Sequence, residues 1–178
     1  MFAIVLAALD RSGSVLPILC AMAVHELAHV VMMLACGGQV RRLTLRFADL
    51  QIAASGLGYR QELLSALAGP LVNLICGAAF CMQRPSFAAY SLMLGIYNLL
   101  PVWLLDGGRV LRCALLARLP ITQAEHISEI VSFAACAVLL LIGVFLTFFR
   151  KSGLWPLGTA AYLTVRLLML ARRTDAVQ

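Results

Sequence analysis

The chain alternates long apolar runs with short polar ones. Met1–Leu9 is apolar but short, and gives way to Asp10-Arg11-Ser12-Gly13. Val15–Cys36 follows as a full-length run, ended by Gly37-Gly38. Further runs are Leu63–Met82, Phe87–Leu105, Ile130–Phe149 and Leu154–Ala171, with tight turns at Gln83-Arg84-Pro85-Ser86 and Arg150–Gly153. Crossing the hydrocarbon core of a bilayer takes about 20 apolar residues. The pattern therefore predicts five spanning helices and one short N-terminal segment that crosses only with help. Residues 109–129 read as a basic, amphipathic stretch lying at the interface. Residues 40–54 change period. There Leu43, Leu45 and Phe47 alternate with Arg42, Thr44 and Arg46, which predicts a short β-hairpin turning at Ala48-Asp49. The expected fold class is an all-α polytopic membrane protein of about six transmembrane segments, the first one short. A small β-hairpin separates the second from the third.

Composition sharpens this picture. Hydrophobic residues make up 62% of the 178 residues and charged residues 12%, with a mean hydropathy of +0.95. A chain with so little charge cannot cover a water-facing surface. That excludes a soluble enzyme, a disordered regulator and a coiled coil. The net charge of +6 comes from single or paired bases between apolar runs. They carry no nucleic-acid module signature, so no nucleic-acid partner is expected. Read as loop charges, they set orientation. Assuming six segments, one side holds Arg41, Arg42, Arg46, Arg60, Arg109, Arg112, Arg118, Arg172 and Arg173. The other holds Arg11, Arg84, Arg150 and Lys151. Nine against four predicts a cytoplasmic hairpin and both termini in the cytoplasm. The six cysteines form no CxxC pair and lie in or beside apolar runs, so neither a disulfide framework nor a cysteine zinc site is expected. Met1–Leu9 lacks the basic start and the cleavage site of a signal peptide.

The candidate chemistry sits in the first full run. His25-Glu26-Leu27-Ala28-His29 is an HExxH sequence on a predicted helix. The i, i+4 spacing puts both imidazoles on one face, where they can share a zinc ion, with Glu26 placed to act as general base on a water. Two histidines and a glutamate are expensive inside a membrane, so by default they face the protein interior and carry function. The bland alternative is a hydrogen-bonded polar cluster that holds helices together. A catalytic zinc takes three protein ligands. The remaining candidates are Asp10, Asp49, Glu62, Asp106, Glu125, Glu129, Asp175 and His126. Asp106 stands out because it ends an uncharged run at the expected cytoplasmic end of a span and precedes Gly107-Gly108. As an ordinary helix-end acid it would simply be solvated.

The HExxH sequence, followed by Asn98-Leu99-Leu100-Pro101-Val102-Trp103-Leu104-Leu105-Asp106-Gly107-Gly108-Arg109, resembles the site-2 protease family of intramembrane zinc metalloproteases. Within that family the chain is similar to the stage IV sporulation protein FB group. Ala68-Gly69-Pro70-Leu71-Val72-Asn73 matches a further family element. The resemblance runs from about residue 15 to about residue 119, the expected catalytic core of a single domain covering 1–178. It departs at Leu104, where the family often has Pro, and at Ala28, where Gly is more usual.

The resemblance implies that His25, His29 and Asp106 hold Zn²⁺ and that Glu26 is the general base. Asn98 and Asn73 would position substrate or an oxyanion, and the hairpin edge would pair with an unwound substrate segment. The implied function is regulated proteolysis of membrane-associated substrates near the cytoplasmic side of the bilayer. The substrates would be anti-sigma factors, pro-sigma factors or tethered transcription factors in a bacterial cytoplasmic membrane, with room for an inhibitory membrane partner. No PDZ or CBS domain is expected. The runner-up is a catalytically silent membrane protein that binds zinc or a partner helix.

Overall fold

An apolar helix in a membrane protein has no amphipathic pattern to say which side faces inward, so the inward stripe is set by small and polar residues. Helix α1, Val15–Ala35, buries Ala21, His25, His29 and Met33, a strict fourfold repeat along one face. Leu16, Leu27, Val31 and Leu34 point outward. The helix stops in a Schellman turn. Gly37 adopts φ +80°, its N–H donates to Leu34 O, and the Gly38 N–H donates to Met33 O. Those bonds satisfy carbonyls that the helix end would otherwise strand.

This computed structural model describes residues 13–46, 49–55, 58–149 and 154–175; the expected short segment at 1–9 and both chain ends lie outside them. After α1 come strands β1, Gln39–Arg46, and β2, Asp49–Ser55, paired antiparallel from Gln39↔Ser55 to Arg46↔Asp49 with an irregularity between Val40 and Arg42. The two strands leave and re-enter the helices at a pinned point. Gln61 Nε2 donates to Cys36 O at 3.1 Å, and its Oε1 accepts from the Gly58 N–H at 2.9 Å.

Helix α2, Tyr59–Ala79, packs against α1 and against the helix that follows it, and buries Ser65, Ala66, Ala68, Gly69, Pro70, Asn73 and Gly77. Nearly all are small, which lets two backbones approach closely. Helix α3, Pro85–Asn98, opens on a proline at its first position and buries Ala88, Ser91 and Gly95. These elements form one compact unit, Met1–Leu99; Leu100–Gln178 forms a second.

In the second unit α4, Asp106–Leu116, is followed by α5, Ile121–Phe148, and α6, Trp155–Asp175, with α5 packed against both neighbours. Three described helices are long and apolar enough to cross a membrane: α1, α2 and α5. Helix α3 has 14 residues, and the apolar part of α6 runs only from Pro156 to Leu170.

Two boundaries differ from the sequence expectation. The apolar run Phe87–Leu105 is not one helix. Pro101 biases the residue before it toward extended backbone, and the helix ends at Asn98. Asp106 consequently opens a helix rather than closing one. Likewise α5 starts at Ile121, after Pro120, and not at Ile130. Its first turns are polar but helical, so 109–129 is not one interfacial stretch.

Candidate metal centre

The two histidines are held by α2. His29 Nδ1 donates to the backbone carbonyl of Ser65 at 2.7 Å, while Ser65 Oγ donates back to His29 O at 3.4 Å. His25 Nδ1 lies 3.2 Å from the side-chain amide nitrogen of Asn73. With both Nδ1 atoms engaged, the two Nε2 atoms face each other at 3.1 Å. The rings are edge-on, 4.7 Å between centroids. Both residues are buried.

That geometry fits a metal. A carbonyl oxygen can only accept, so His29 carries its proton on Nδ1 and its lone pair on Nε2. Metal-binding histidines characteristically donate their other nitrogen to such a carbonyl. The space is also shaped for the rings. A Cβ on Gly69 would overlap His29 Nε2, and would lie 2.6 Å from His29 Cε1 and 3.0 Å from His25 Cε1. Only glycine at 69 leaves the imidazoles where they are. Sequence reasoning named Gly69 only within the Ala68–Asn73 element, without a role, and did not single out the Ser65 carbonyl. The signal available was a glycine beside a proline in the middle of an apolar helix.

Glu26 follows His25 on α1 and is half-buried, while Leu27, 61% exposed, marks the outward side of the same turn. Asn73 is fully buried at 0% exposure, with its amide against His25. Asn98 is the last residue of α3, and its amide donates to Leu94 O at 3.1 Å within its own helix.

In the second unit Asp106 occupies the first turn of α4, where the helix N-terminus favours a negative charge. Its side chain is 13% exposed, with the Arg109 guanidinium 3.9 Å away. The loop before it is folded tightly on that first turn. Val102 is buried, and its carbonyl lies where a side chain on Gly108 would be. The Trp103 N–H donates to Ser132 Oγ at 3.0 Å, and Ser132 Oγ donates to Ser128 O at 2.7 Å. Arg112 donates through Nε to Glu125 at 2.9 Å and stands over the Trp103 ring. The loop ahead of Asp106 is thus tied to both α4 and α5.

Apolar spans and a buried imidazole pair define a polytopic membrane protein with metal-ligand chemistry in its interior. Comparison with known proteins is specific. Residues 84–142 match peptidase family M50. The chain is 26% identical to the zinc metalloprotease MJ0392 of Methanocaldococcus jannaschii, over 67% of this chain and 39% of that protein. It is 28% identical to stage IV sporulation protein FB of Bacillus subtilis, over 70% of this chain and 47% of that protein. It thus spans less than half the length of either relative. Its fold is that of the site-2 protease from Methanocaldococcus jannaschii, with a TM-score of 0.67 over 94% of this chain and 83% of that one, at 19% identity. The resemblance to the site-2 proteases therefore holds in family match, named relatives and fold.

Proposed function

We propose that this protein is an intramembrane zinc metalloprotease that cleaves membrane-associated protein substrates near the cytoplasmic face of the bilayer. The observation that carries the reading is the imidazole pair: two buried Nε2 atoms 3.1 Å apart on an apolar helix. His25 and His29 supply two ligands. Asp106 is the third in this proposal, since a catalytic zinc takes three protein ligands and two imidazoles with one carboxylate are a donor set suited to it. The chemistry a bound zinc supplies is acidification of a water and polarisation of a peptide carbonyl.

The chain's own residues do the rest. Glu26 accepts the proton of the attacking water on its carboxylate and returns it to the leaving amine. A helical substrate hides its carbonyls in i→i−4 bonds and must unwind first. The β1–β2 hairpin offers strand edges to that unwound segment. Asn98, at the end of α3, hydrogen-bonds the freed substrate backbone or the oxyanion. Asn73 lies against His25. On the resemblance seen in the sequence, the proposed substrates are anti-sigma factors, pro-sigma factors or tethered transcription factors in a bacterial cytoplasmic membrane.

Co-expression with tethered candidate substrates tests this, comparing wild type with Glu26→Gln. Cleavage is expected to disappear in the variant while zinc stays near one per chain. Zinc binding with no cleavage by wild type of any tethered substrate would favour the silent zinc-binding reading. Cleavage by Glu26→Gln would remove the proposed base.

A further inference from the structure

His25 and His29 do not have equivalent proton arrangements, and the difference falls on Asn73. His29 is fixed by Ser65 O with its lone pair on Nε2. His25 Nδ1 faces the Asn73 amide nitrogen, whose N–H donates to it. That puts the His25 proton on Nε2, from where it donates to His29 Nε2. These three bonds are mutually consistent for two neutral imidazoles with a proton between them. It has one cost. Asn73 Oδ1 is buried and has no hydrogen-bond partner among the described residues. A buried unpaired acceptor in a native structure calls for an explanation.

A metal shared by both Nε2 atoms cannot coexist with that proton. The His25 proton must then sit on Nδ1, where it needs an acceptor. A half-turn of the Asn73 amide exchanges nitrogen and oxygen, which are nearly equal in shape, and brings Oδ1 onto Nδ1. Resting on the metal reading above, we propose that Asn73 is the positioning residue for His25. In the metal-bound protein its Oδ1 accepts from His25 Nδ1–H and fixes the tautomer that frees Nε2. The orphaned oxygen is the acceptor held for that state. The rotation leaves an amide N–H in the orphan's place, so an aspartate, which has no N–H to strand, serves the metal-bound state better still.

The test is zinc affinity of the purified full chain in detergent, by chelator competition, beside thermal unfolding of the metal-free protein. Asn73→Leu is expected to weaken zinc about 10- to 100-fold, the usual loss for a residue that orients a metal-bound histidine. Asn73→Asp is expected to hold zinc at least as tightly as wild type, although its metal-free form unfolds at lower temperature because a carboxylate is buried. If Asn73→Leu does not fold, Asn73→Ala is read in its place. A purely structural asparagine would make affinity follow stability, with Asn73→Asp the weaker binder. That ranking, or a leucine variant with unchanged affinity, overturns the inference while the metal reading stands. A wild type that binds zinc no better than His25→Ala removes the metal reading and this inference with it.

Discussion

At the scale of single residues the candidate centre depends as much on what is missing as on what is present. Gly69 has no side chain, and the two imidazoles occupy the space one would take. Gly69→Ala is therefore expected to drive the rings apart or tilt α2. Overpacking of this kind costs about 1–3 kcal/mol, and bound zinc in the purified variant should fall well below that of wild type. Gly158→Ala is the matched control, since a Cβ there meets nothing within 4 Å. It should leave zinc unchanged and slightly stabilise α6, because alanine loses less entropy in a helix. Full zinc in Gly69→Ala would show that the pair has room to move. Such residues also mark where sequence reading stops. The HExxH spacing makes His25 and His29 legible as partners on one face. Nothing in an apolar pattern says that the Ser65 carbonyl and Asn73, 36 and 48 residues along, would take their Nδ1 atoms. Those contacts depend on the packing of α2 on α1.

At the scale of elements, hydrophobicity predicts where the chain is greasy and not where helices end. The run Phe87–Leu105 is uncharged and mostly apolar, yet it contains a helix, a loop and the approach to a second helix, because Pro101 interrupts it. Asp106 was legible as a candidate ligand from its isolation, but its place at a helix start was not. The polar residues 121–129 failed in the opposite sense, since they continue the helix that 130–149 begins on hydropathy alone. What holds the loop ahead of Asp106 is Ser132, through the Trp103 N–H. Ser132→Ala leaves that half-buried donor unpaired, which should cost about 1–3 kcal/mol. A lowered melting temperature in Ser132→Ala, recovered in Ser132→Thr, is the expected result. If both variants melt like wild type, the bond does not restrain the loop.

At the scale of the whole molecule, orientation can be argued for each unit separately, from charge and span length. Helix α2 has 21 residues, about 31 Å of helix, enough to cross the hydrocarbon core. The segments at its two ends must then lie on opposite sides. The N-terminal side carries Arg41, Arg42, Arg46 and Arg60; the α2–α3 turn carries only Arg84. The second unit has the same asymmetry. Arg109, Arg112, Arg118, Arg172 and Arg173 stand against Arg150 and Lys151 between α5 and α6. Basic residues are retained in the cytoplasm. The hairpin, α4 and the end of α6 are therefore expected to be cytoplasmic, and the α2–α3 turn external. Two native cysteines allow a direct check. Cys81 is exposed in that turn, and Cys36 sits at the C-cap of α1, beside the hairpin. In single-cysteine variants in intact cells, a membrane-impermeant maleimide should label Cys81 and not Cys36. After inside-out vesicles are prepared the order should reverse. Labelling of both from the same side would mean that α2 does not cross. The imidazole pair on α1, held by α2, would then lie at the membrane surface, with no reason to select membrane-embedded substrates.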